Sequence, residues 1–238
     1  MPQLVEEKQD AVLIEPVSVE KMDYACKYSD EFYLGYIENF VVNPKKRRVF
    51  RFIKRFGDIF VSAAALLLLW PIMLVIAIAI KCDSRGPVIF RQKRVGRNGK
   101  LFNCLKFRSM RTDAPKNAPT SLLESPEQYY TRVGKFLRKT SLDELPQLWC
   151  VFIGKMSVIG YRPLVPNEEK ANDMRERLGV FVMRPGISGL AQVRGRDEVY
   201  YKNKAILDAE YVKKATVWLD IKLLFETVAV VLKRKGAK

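Results

Sequence analysis

The longest apolar stretch of the chain covers residues 59–80, which are 22 consecutive residues without a charged side chain. At the rise of an α-helix this stretch is about 33 Å long, enough to cross the hydrocarbon core of a bilayer. The apolar core helix of a soluble protein is usually shorter than this. The pattern therefore predicts a membrane helix, and Pro71 near its middle is expected to kink or break it.

Positive charge flanks this apolar stretch on both sides. Seven Lys or Arg side chains precede it within residues 45–55, and six follow it within residues 81–97. Because cytoplasmic segments close to a membrane span carry the excess of positive charge, a single crossing would have no favoured orientation. We therefore expect a re-entrant helix hairpin, hinged at Pro71, that enters and leaves the membrane by the same face.

In the rest of the chain the apolar residues form short runs or recur at helical spacing, which predicts an α+β, mainly helical domain. Residues 86–111 carry eight basic side chains and no acidic one, and Asn98-Gly99 predicts a β-hairpin with a two-residue turn. Residues 112–128 are rich in Pro and Ser and predict a loop. Residues 129–154 have apolar positions at helical spacing, with Pro146 marking a turn or a helix start.

Two further segments and a last helix complete the pattern. The sequences GYRPLVP and RPGISGLAQVRGR, punctuated by Gly and Pro, predict two basic loops. Residues 208–233 predict one amphipathic helix, which either lies in the membrane interface or packs onto the domain.

Charge divides the chain unevenly and changes this picture. The net charge is +16, but residues 1–40 hold nine acidic and three basic side chains, so the remaining body is far more basic than the total indicates. We expect an acidic, partly disordered extension (1–44), a basic juxtamembrane segment with the re-entrant helix (45–82) and a basic domain (83–238). Such a body attracts anions, whether nucleic acid, an anionic membrane surface or phosphorylated substrates.

The chain contains no histidine, and its four cysteines form no CxxC pair. Histidine-dependent nucleophilic catalysis, histidine-containing metal sites and thioredoxin-like redox motifs are therefore excluded. Any acid-base or nucleophilic chemistry must use carboxylates, Lys, Tyr or Cys.

The adjacent carboxylates Asp143 and Glu144, in the sequence TSLDELPQL, are the strongest candidates for such chemistry. Carboxylates among arginines stay ionised, and they either hold a divalent cation or act as nucleophiles. A structural alternative is a helix cap, in which Ser141 and Glu144 form a capping box or Asp143 is itself the N-cap. The spacing alone favours the cap.

Several arginines are candidates for binding phosphate oxygens. Arg162, Arg184 and Arg194 each lie beside Gly or Pro, in turns that fix a guanidinium fork in place. Arg196 lies on the other side of Gly195. The alternative for each of them is an ordinary solvated surface arginine.

Taken in order, the motifs of residues 54–234 resemble bacterial sugar transferases, the monotopic polyprenyl-phosphate phosphoglycosyltransferases that begin extracellular polysaccharide synthesis. The motifs are KRFGD, a Pro in mid-helix, GPVIFRQKRVG, LKFRSM, LRKTSLDELPQL, GKMSVIGYRPL, RPGISGLAQVRGR and LDAEYV. Each is weak alone, but the ordered set is specific.

The resemblance implies a re-entrant membrane helix and a catalytic domain on the cytoplasmic face of the bacterial cell membrane. It implies that Asp143 attacks a UDP-sugar in the presence of Mg²⁺, releases UMP and passes the sugar phosphate to undecaprenyl phosphate. Glu144 and Asp208 match the other functional carboxylates of the family, and are expected with Asp143 to bind the metal or position the substrate. The expected phosphate-binding arginines are Arg108, Arg138, Arg162, Arg184 and Arg194.

The chain departs from the family pattern at two places. Trp70 precedes the hinge proline where the family commonly has Ser, and Tyr161 replaces the first Pro of its Gly-Pro-Arg-Pro motif. The transferred sugar, a hexose such as glucose or galactose, is not readable from these motifs. A membrane-tethered protein that binds nucleic acid is the alternative function, favoured by charge and by aromatic residues among the basic ones.

Overall fold

The computed structural model describes residues 28–40, 48–115, 125–194 and 200–232. These residues form an α+β, mainly helical fold with two small sheets. The helices are α1 (Asp30–Asn39), α2 (Arg48–Asp83), α3 (Arg132–Lys139), α4 (Gln147–Phe152), α5 (Glu169–Arg177), α6 (Leu190–Arg194), α7 (Tyr201–Lys214) and α8 (Val217–Leu232). The strands are β1 (Ile89–Val95), β2 (Leu101–Phe107), β3 (Ser157–Ile159) and β4 (Gly186–Ser188).

Helix α2 contains the predicted membrane segment. Its part from Val49 to Asp83 is long and apolar enough to cross a membrane: its most apolar stretch of 18 residues has a mean hydropathy of 2.8, and little of that stretch is buried. The helical backbone continues through Pro71, so the break expected at this residue is absent. A proline removes one backbone hydrogen bond, and the surrounding apolar residues are good enough helix formers to keep the helix intact.

The first turns of α2 are bound to the domain by polar contacts. Lys54 forms an ion pair of 2.6 Å with Asp220 of α8. Arg55 donates to the carbonyl oxygens of Val151 and Phe152 at the end of α4. Because these contacts fix one end of α2, the domain holds the helix before its apolar middle begins.

The last turns of α2 are bound to the same domain. Ile76 and Ile80 pack against Phe107 of β2 and Leu137 of α3. The carboxylate of Asp83 accepts a hydrogen bond of 3.0 Å from the backbone amide of Val133. Both ends of the apolar helix therefore contact the globular part of the chain.

Strands β1 and β2 form the predicted basic hairpin, with Ile89 opposite Phe107 and Val95 opposite Leu101. The predicted two-residue turn is wrong, because residues 96–100 all belong to the turn and include a short 3₁₀ segment. Asn98 lies in the left-handed region, as does Gly99. The Asn-Gly signal thus identified the reversal but not its length.

Strands β3 and β4 form a parallel pair; β4 lies within the predicted loop RPGISGLAQVRGR, and β3 ends directly before the predicted loop GYRPLVP. The backbones approach so closely that a Cβ at Gly160 would lie 2.5 Å from the carbonyl oxygen of Arg184. Glycine is required here because any side chain would collide with the neighbouring backbone. In the sequence, this glycine was interpreted as part of a loop. The pairing fixes the segments that carry Arg162 and Arg184.

The predicted single helix of residues 208–233 is two helices, α7 and α8. The hydroxyl oxygen of Thr216 accepts a hydrogen bond from the amide of Leu219, and its carbonyl accepts one from Asp220. These bonds start α8 anew, so α7 lies in the core while Trp218 and Phe225 on α8 are exposed.

Candidate active site

Asp143 and Glu144 lie in a short 3₁₀ turn between α3 and α4. Ser141 opens the turn with a φ of 57°, and its side chain makes no capping hydrogen bond. Helix α4 starts after Pro146, also without a side-chain cap. The capping interpretations of Ser141, Asp143 and Glu144 are therefore wrong, and both carboxylates are available for other contacts.

Lys106, on β2, pairs with both carboxylates. Its Nζ lies 2.6 Å from Oε1 of Glu144 and 3.7 Å from Oδ2 of Asp143. Burial raises the pKa of Asp143, and the positive charge of Lys106 works against that rise. Burial also acts on Glu144, but Lys106 and Arg162 outweigh it and lower the pKa of Glu144 to about 2. Glu144 is therefore ionised throughout the physiological range.

Asp143 lines a cavity of about 480 Å³ under one face of the hairpin. Six basic side chains share its wall, and the wall continues along the segment that follows β2. Asp143 itself is 5% exposed. A buried carboxylate at the wall of a cationic cavity can meet an anionic substrate that the cations attract. The six are Arg91, Arg94, Lys106, Arg108, Arg111 and Arg138.

Two of the predicted phosphate-binding arginines lie near the carboxylates. Arg138, in the last turn of α3, lies 4.8 Å from the ring centre of Tyr130 and lowers the pKa of Asp143. Arg162 extends a half-exposed guanidinium to 3.7 Å from Oε1 of Glu144. The structure thus brings together Asp143, Glu144 and Arg138, which share the motif LRKTSLDELPQL, and Arg162, which belongs to the separate motif GKMSVIGYRPL.

Asp208 lies apart from this pair, in the middle of α7. Its Oδ2 accepts a hydrogen bond of 2.5 Å from Arg175, and the two side chains are almost completely buried. Burial raises the pKa of Asp208, while Arg175 opposes the rise. The two side chains form a buried charge pair between α5 and α7.

The acidic side chains of the site can be tested against the expected Mg²⁺. Magnesium is usually held by one or two carboxylates together with substrate phosphates. Asp143 and Glu144 fit that role, because they are adjacent and Glu144 is ionised. Within the described ranges, no three acidic or Cys side chains cluster as metal ligands would, so Asp208 does not join the other two in one site.

The other predicted arginines have different surroundings. Arg108 lines the cavity, but its guanidinium donates to the carbonyl oxygens of Ser84 and Arg85 just after α2. Arg184 donates to the carbonyl oxygen of Gly154 and lies away from the cavity wall. Arg194 is exposed at the end of α6. Arg196, also considered as a phosphate ligand, lies outside the described residues.

Sequence reasoning missed Lys106, Arg94 and Arg175. Lys106 was one of eight basic residues of the hairpin segment, and only its position opposite the carboxylate pair distinguishes it. Arg94 donates to the carbonyl oxygen of Pro163 and so ties β1 to the segment that carries Arg162. These contacts join residues far apart in the chain, which spacing alone does not reveal.

A family model described as bacterial sugar transferase matches residues 49–234. Three relatives are 40–43% identical to the chain. One, from Haemophilus influenzae, is named an uncharacterized sugar transferase and is 41% identical over 202 residues, or 79% of this chain and 42% of that protein. The second is the undecaprenyl-phosphate galactose phosphotransferase of Salmonella typhimurium, 40% identical over 213 residues, or 83% of this chain and 44% of that protein.

The third relative is the UDP-glucose:undecaprenyl-phosphate glucose-1-phosphate transferase of Klebsiella pneumoniae, 43% identical over 182 residues, or 74% of this chain and 39% of that protein. The chain thus spans less than half the length of each of these three relatives. The family match covers the long apolar helix and the cavity, while α1 precedes it.

Proposed function

The chain belongs to the bacterial sugar transferase family, and from that membership we propose that it transfers a sugar-1-phosphate from a UDP-sugar to undecaprenyl phosphate. The observation that carries the proposal is the buried Asp143 at the wall of a cationic cavity. A diphosphate substrate is an anion that such a cavity attracts, and a carboxylate is the natural nucleophile in a chain without histidine. The family match favours this transfer over the alternative of nucleic-acid binding.

In the first step a carboxylate oxygen of Asp143 attacks the phosphorus that carries the sugar. A bond forms between that oxygen and the phosphorus, and the bond to the leaving UMP breaks. In the second step an oxygen of undecaprenyl phosphate attacks the same phosphorus and frees the carboxylate. The product is a sugar joined to the lipid through a diphosphate, and UMP leaves after the first step.

The basic side chains are proposed to stabilise the negative charge on the phosphate oxygens during both steps. Lys106 favours the ionised form of Asp143, because it opposes the effect of burial on the pKa. Arg138 and Arg162 are suited to bind phosphate oxygens on either side of the carboxylate pair. Mg²⁺, held by Asp143 and Glu144 together with the diphosphate, would supply further neutralisation of phosphate charge.

The sugar is proposed to be a hexose such as glucose or galactose. Two relatives of similar identity to this chain are named for galactose and for glucose, respectively. Because both sugars occur among relatives of similar sequence identity, the identities do not indicate which sugar this chain transfers.

We propose that the protein lies on the cytoplasmic face of the bacterial cell membrane, with α2 as a re-entrant helix that bends at Pro71 without losing its helical backbone. Lys54 and Asp83, near the two ends of α2, are both bound to the same domain. A helix that crossed the bilayer would bring these ends to opposite faces of a hydrocarbon core about 30 Å thick. A strongly basic domain cannot lie through that core to reach both ends.

The test is UMP release from a panel of UDP-sugars by the full chain in detergent or nanodiscs, with Mg²⁺ and undecaprenyl phosphate. We expect turnover of at least one UDP-hexose and its loss in the Asp143→Asn variant, since an amide is a far weaker nucleophile. Without the lipid, the wild-type protein should release about one UMP per chain and keep the labelled sugar phosphate bound. Full activity of Asp143→Asn, or no turnover of any UDP-sugar by the wild type, would refute the proposal.

A further inference from the structure

Asp208 and Arg175 form a charge pair that the core encloses. Asp208 is 1% exposed and Arg175 is 3% exposed, and 2.5 Å separates Oδ2 of the aspartate from Nη2 of the arginine. The pair joins α7 to α5. Charges of this kind are costly to bury, and pairing compensates only part of that cost.

The second terminal nitrogen of Arg175 reaches a different part of the chain. Its Nη1 donates a hydrogen bond of 3.2 Å to the backbone carbonyl oxygen of Arg162. One rigid guanidinium therefore connects Asp208 with the segment that follows β3. The planar fork fixes the distance between its two acceptors.

The backbone so held carries a side chain of the candidate active site. The guanidinium of Arg162 lies 3.7 Å from Glu144, which in turn pairs with Lys106. A continuous series of contacts thus runs from Asp208 through Arg175 and Arg162 to Glu144. Each contact is either an ion pair or a hydrogen bond.

The geometry argues against Asp208 as a metal ligand. Its Oδ2 is already paired with Arg175, and its Oδ1 is enclosed by protein. Within the part of the chain that the structure describes, Asp208 does not join Asp143 and Glu144 in one acidic group.

We propose that Asp208 and Arg175 are positioning residues: they hold the backbone of Arg162 so that its guanidinium faces the substrate beside Glu144. This inference rests on the proposed transfer reaction and assigns Asp208 a role that needs no metal. Loss of either residue then weakens binding of the UDP-sugar whether or not Mg²⁺ is present.

The experiment compares Asp208→Asn and Arg175→Lys with the wild-type full chain. The lysine keeps the charge but has only one nitrogen, so it cannot hold Asp208 and the carbonyl of Arg162 together. Matched controls are Asp173→Asn and Arg177→Lys, which alter an exposed ion pair of 3.0 Å on the same helix α5. Thermal unfolding of every variant identifies any that fails to fold.

Two measurements separate positioning from metal binding. The first is the dissociation constant of the UDP-sugar that the wild type uses, measured in EDTA. Every protein in this measurement also carries Asp143→Asn, so that no UMP is released while binding is measured. We expect Asp208→Asn and Arg175→Lys each to raise this dissociation constant about tenfold. The double variant should raise it no further than the more affected single variant, because both substitutions break the same series of contacts. The second is the Mg²⁺ dependence of UMP release, which should keep its midpoint in both variants and shift in Glu144→Gln.

Each outcome decides the matter. If Asp208→Asn binds normally in EDTA but needs more Mg²⁺ for turnover, Asp208 is a metal ligand and the proposal fails. If Arg175→Lys is folded and binds as tightly as the control variants, the relay to Arg162 has no role. If the wild type uses no UDP-sugar at all, the proposed function itself fails, and the positioning role falls with it.

Discussion

Lys106 is the residue on which the electrostatics of the candidate site depend. It contacts both carboxylates, and it is the nearest cation to Asp143 among the described ion pairs. Asp143 faces Glu144 from its own turn, Arg138 from α3 and Arg162 from the segment after β3. Burial and Glu144 raise the pKa of Asp143, whereas the three cations lower it. Lys106 is the largest of the contributions that oppose the raised pKa of Asp143.

Replacing Lys106 with Met should move the acidic limb of the pH profile of UMP release to higher pH. Removal of the cation raises the pKa of Asp143, so a larger fraction of the nucleophile is protonated at a given pH. An opposite charge at this distance lowers a carboxyl pKa by about one unit or more, which sets the expected shift. The measurement is kcat/KM against pH between about 5 and 9.

The control for this prediction is Lys93→Met on the neighbouring strand β1, where the side chain is exposed. It removes the same charge from the same hairpin without touching the carboxylates. If both variants shift the acidic limb equally, the effect reports the net charge of the domain. An unshifted limb in Lys106→Met would show that Lys106 does not control the ionisation of Asp143.

The sequence identified the reactive carboxylates but not their contacts. Asp143 and Glu144 were recognisable as adjacent acids in a basic segment, although the spacing alone favoured a cap. The cap is absent because Leu145 and Pro146 continue in helical conformation from the 3₁₀ turn into α4, so no extended residue with a capping side chain starts that helix. Lys106 and Arg175 were not recognisable, because each meets its partner across more than 30 residues of chain.

Helix α1 was not predicted from the sequence. It lies in the acidic extension, to which no role was assigned, and before the residues that the family model matches. The hydroxyl of Tyr33 donates to Asn203, and that of Tyr36 donates to Glu210, each at 2.8 Å. Both acceptors lie on α7, so two hydrogen bonds attach α1 to the helix that carries Asp208.

The variants Tyr33→Phe and Tyr36→Phe should each destabilise the protein by about 1–3 kcal/mol. Each removes the donor of a buried hydrogen bond, and a buried acceptor that loses its donor is costly. The measurement is the free energy of unfolding of the full chain in detergent. Glu38→Gln, an exposed change on the same helix, should leave it within about 0.5 kcal/mol of the wild type. Equal stability of all three variants would mean that α1 is not bound to α7 in solution.

The elements that the sequence pattern predicted best are those with strong local signals. The apolar helix, the hairpin and the start of α4 after Pro146 were predicted at or close to their observed positions. The pair of β3 and β4 was missed because strands of three residues are too short to show an alternation of apolar and polar positions. The division between α7 and α8 was missed because apolar residues continue across Thr216.

At the scale of the whole molecule, charge and apolar surface are divided in a way that constrains the topology. Beyond its acidic first 40 residues the chain is strongly basic, yet α2 exposes large apolar side chains along its middle. The stretch between Lys54 and Asp83 is about 44 Å long at a helical rise. Both of these residues are bound to one basic domain, and in the proposed re-entrant topology the apolar middle is buried in lipid while both ends stay with the domain.

The re-entrant topology predicts that both ends of α2 react with a membrane-impermeant maleimide only from the cytoplasmic side. Cys82 is a natural reporter near one end, since it is exposed while Cys104 and Cys150 are buried. Val49→Cys, at an exposed position, supplies the other end in a chain whose Cys26 is changed to Ser. Trp70→Cys in the apolar middle is the control and should react only after detergent is added. Labelling of Cys82 in intact spheroplasts, with Val49→Cys protected there, would establish a single crossing instead, because only a spanning helix puts its ends on opposite faces.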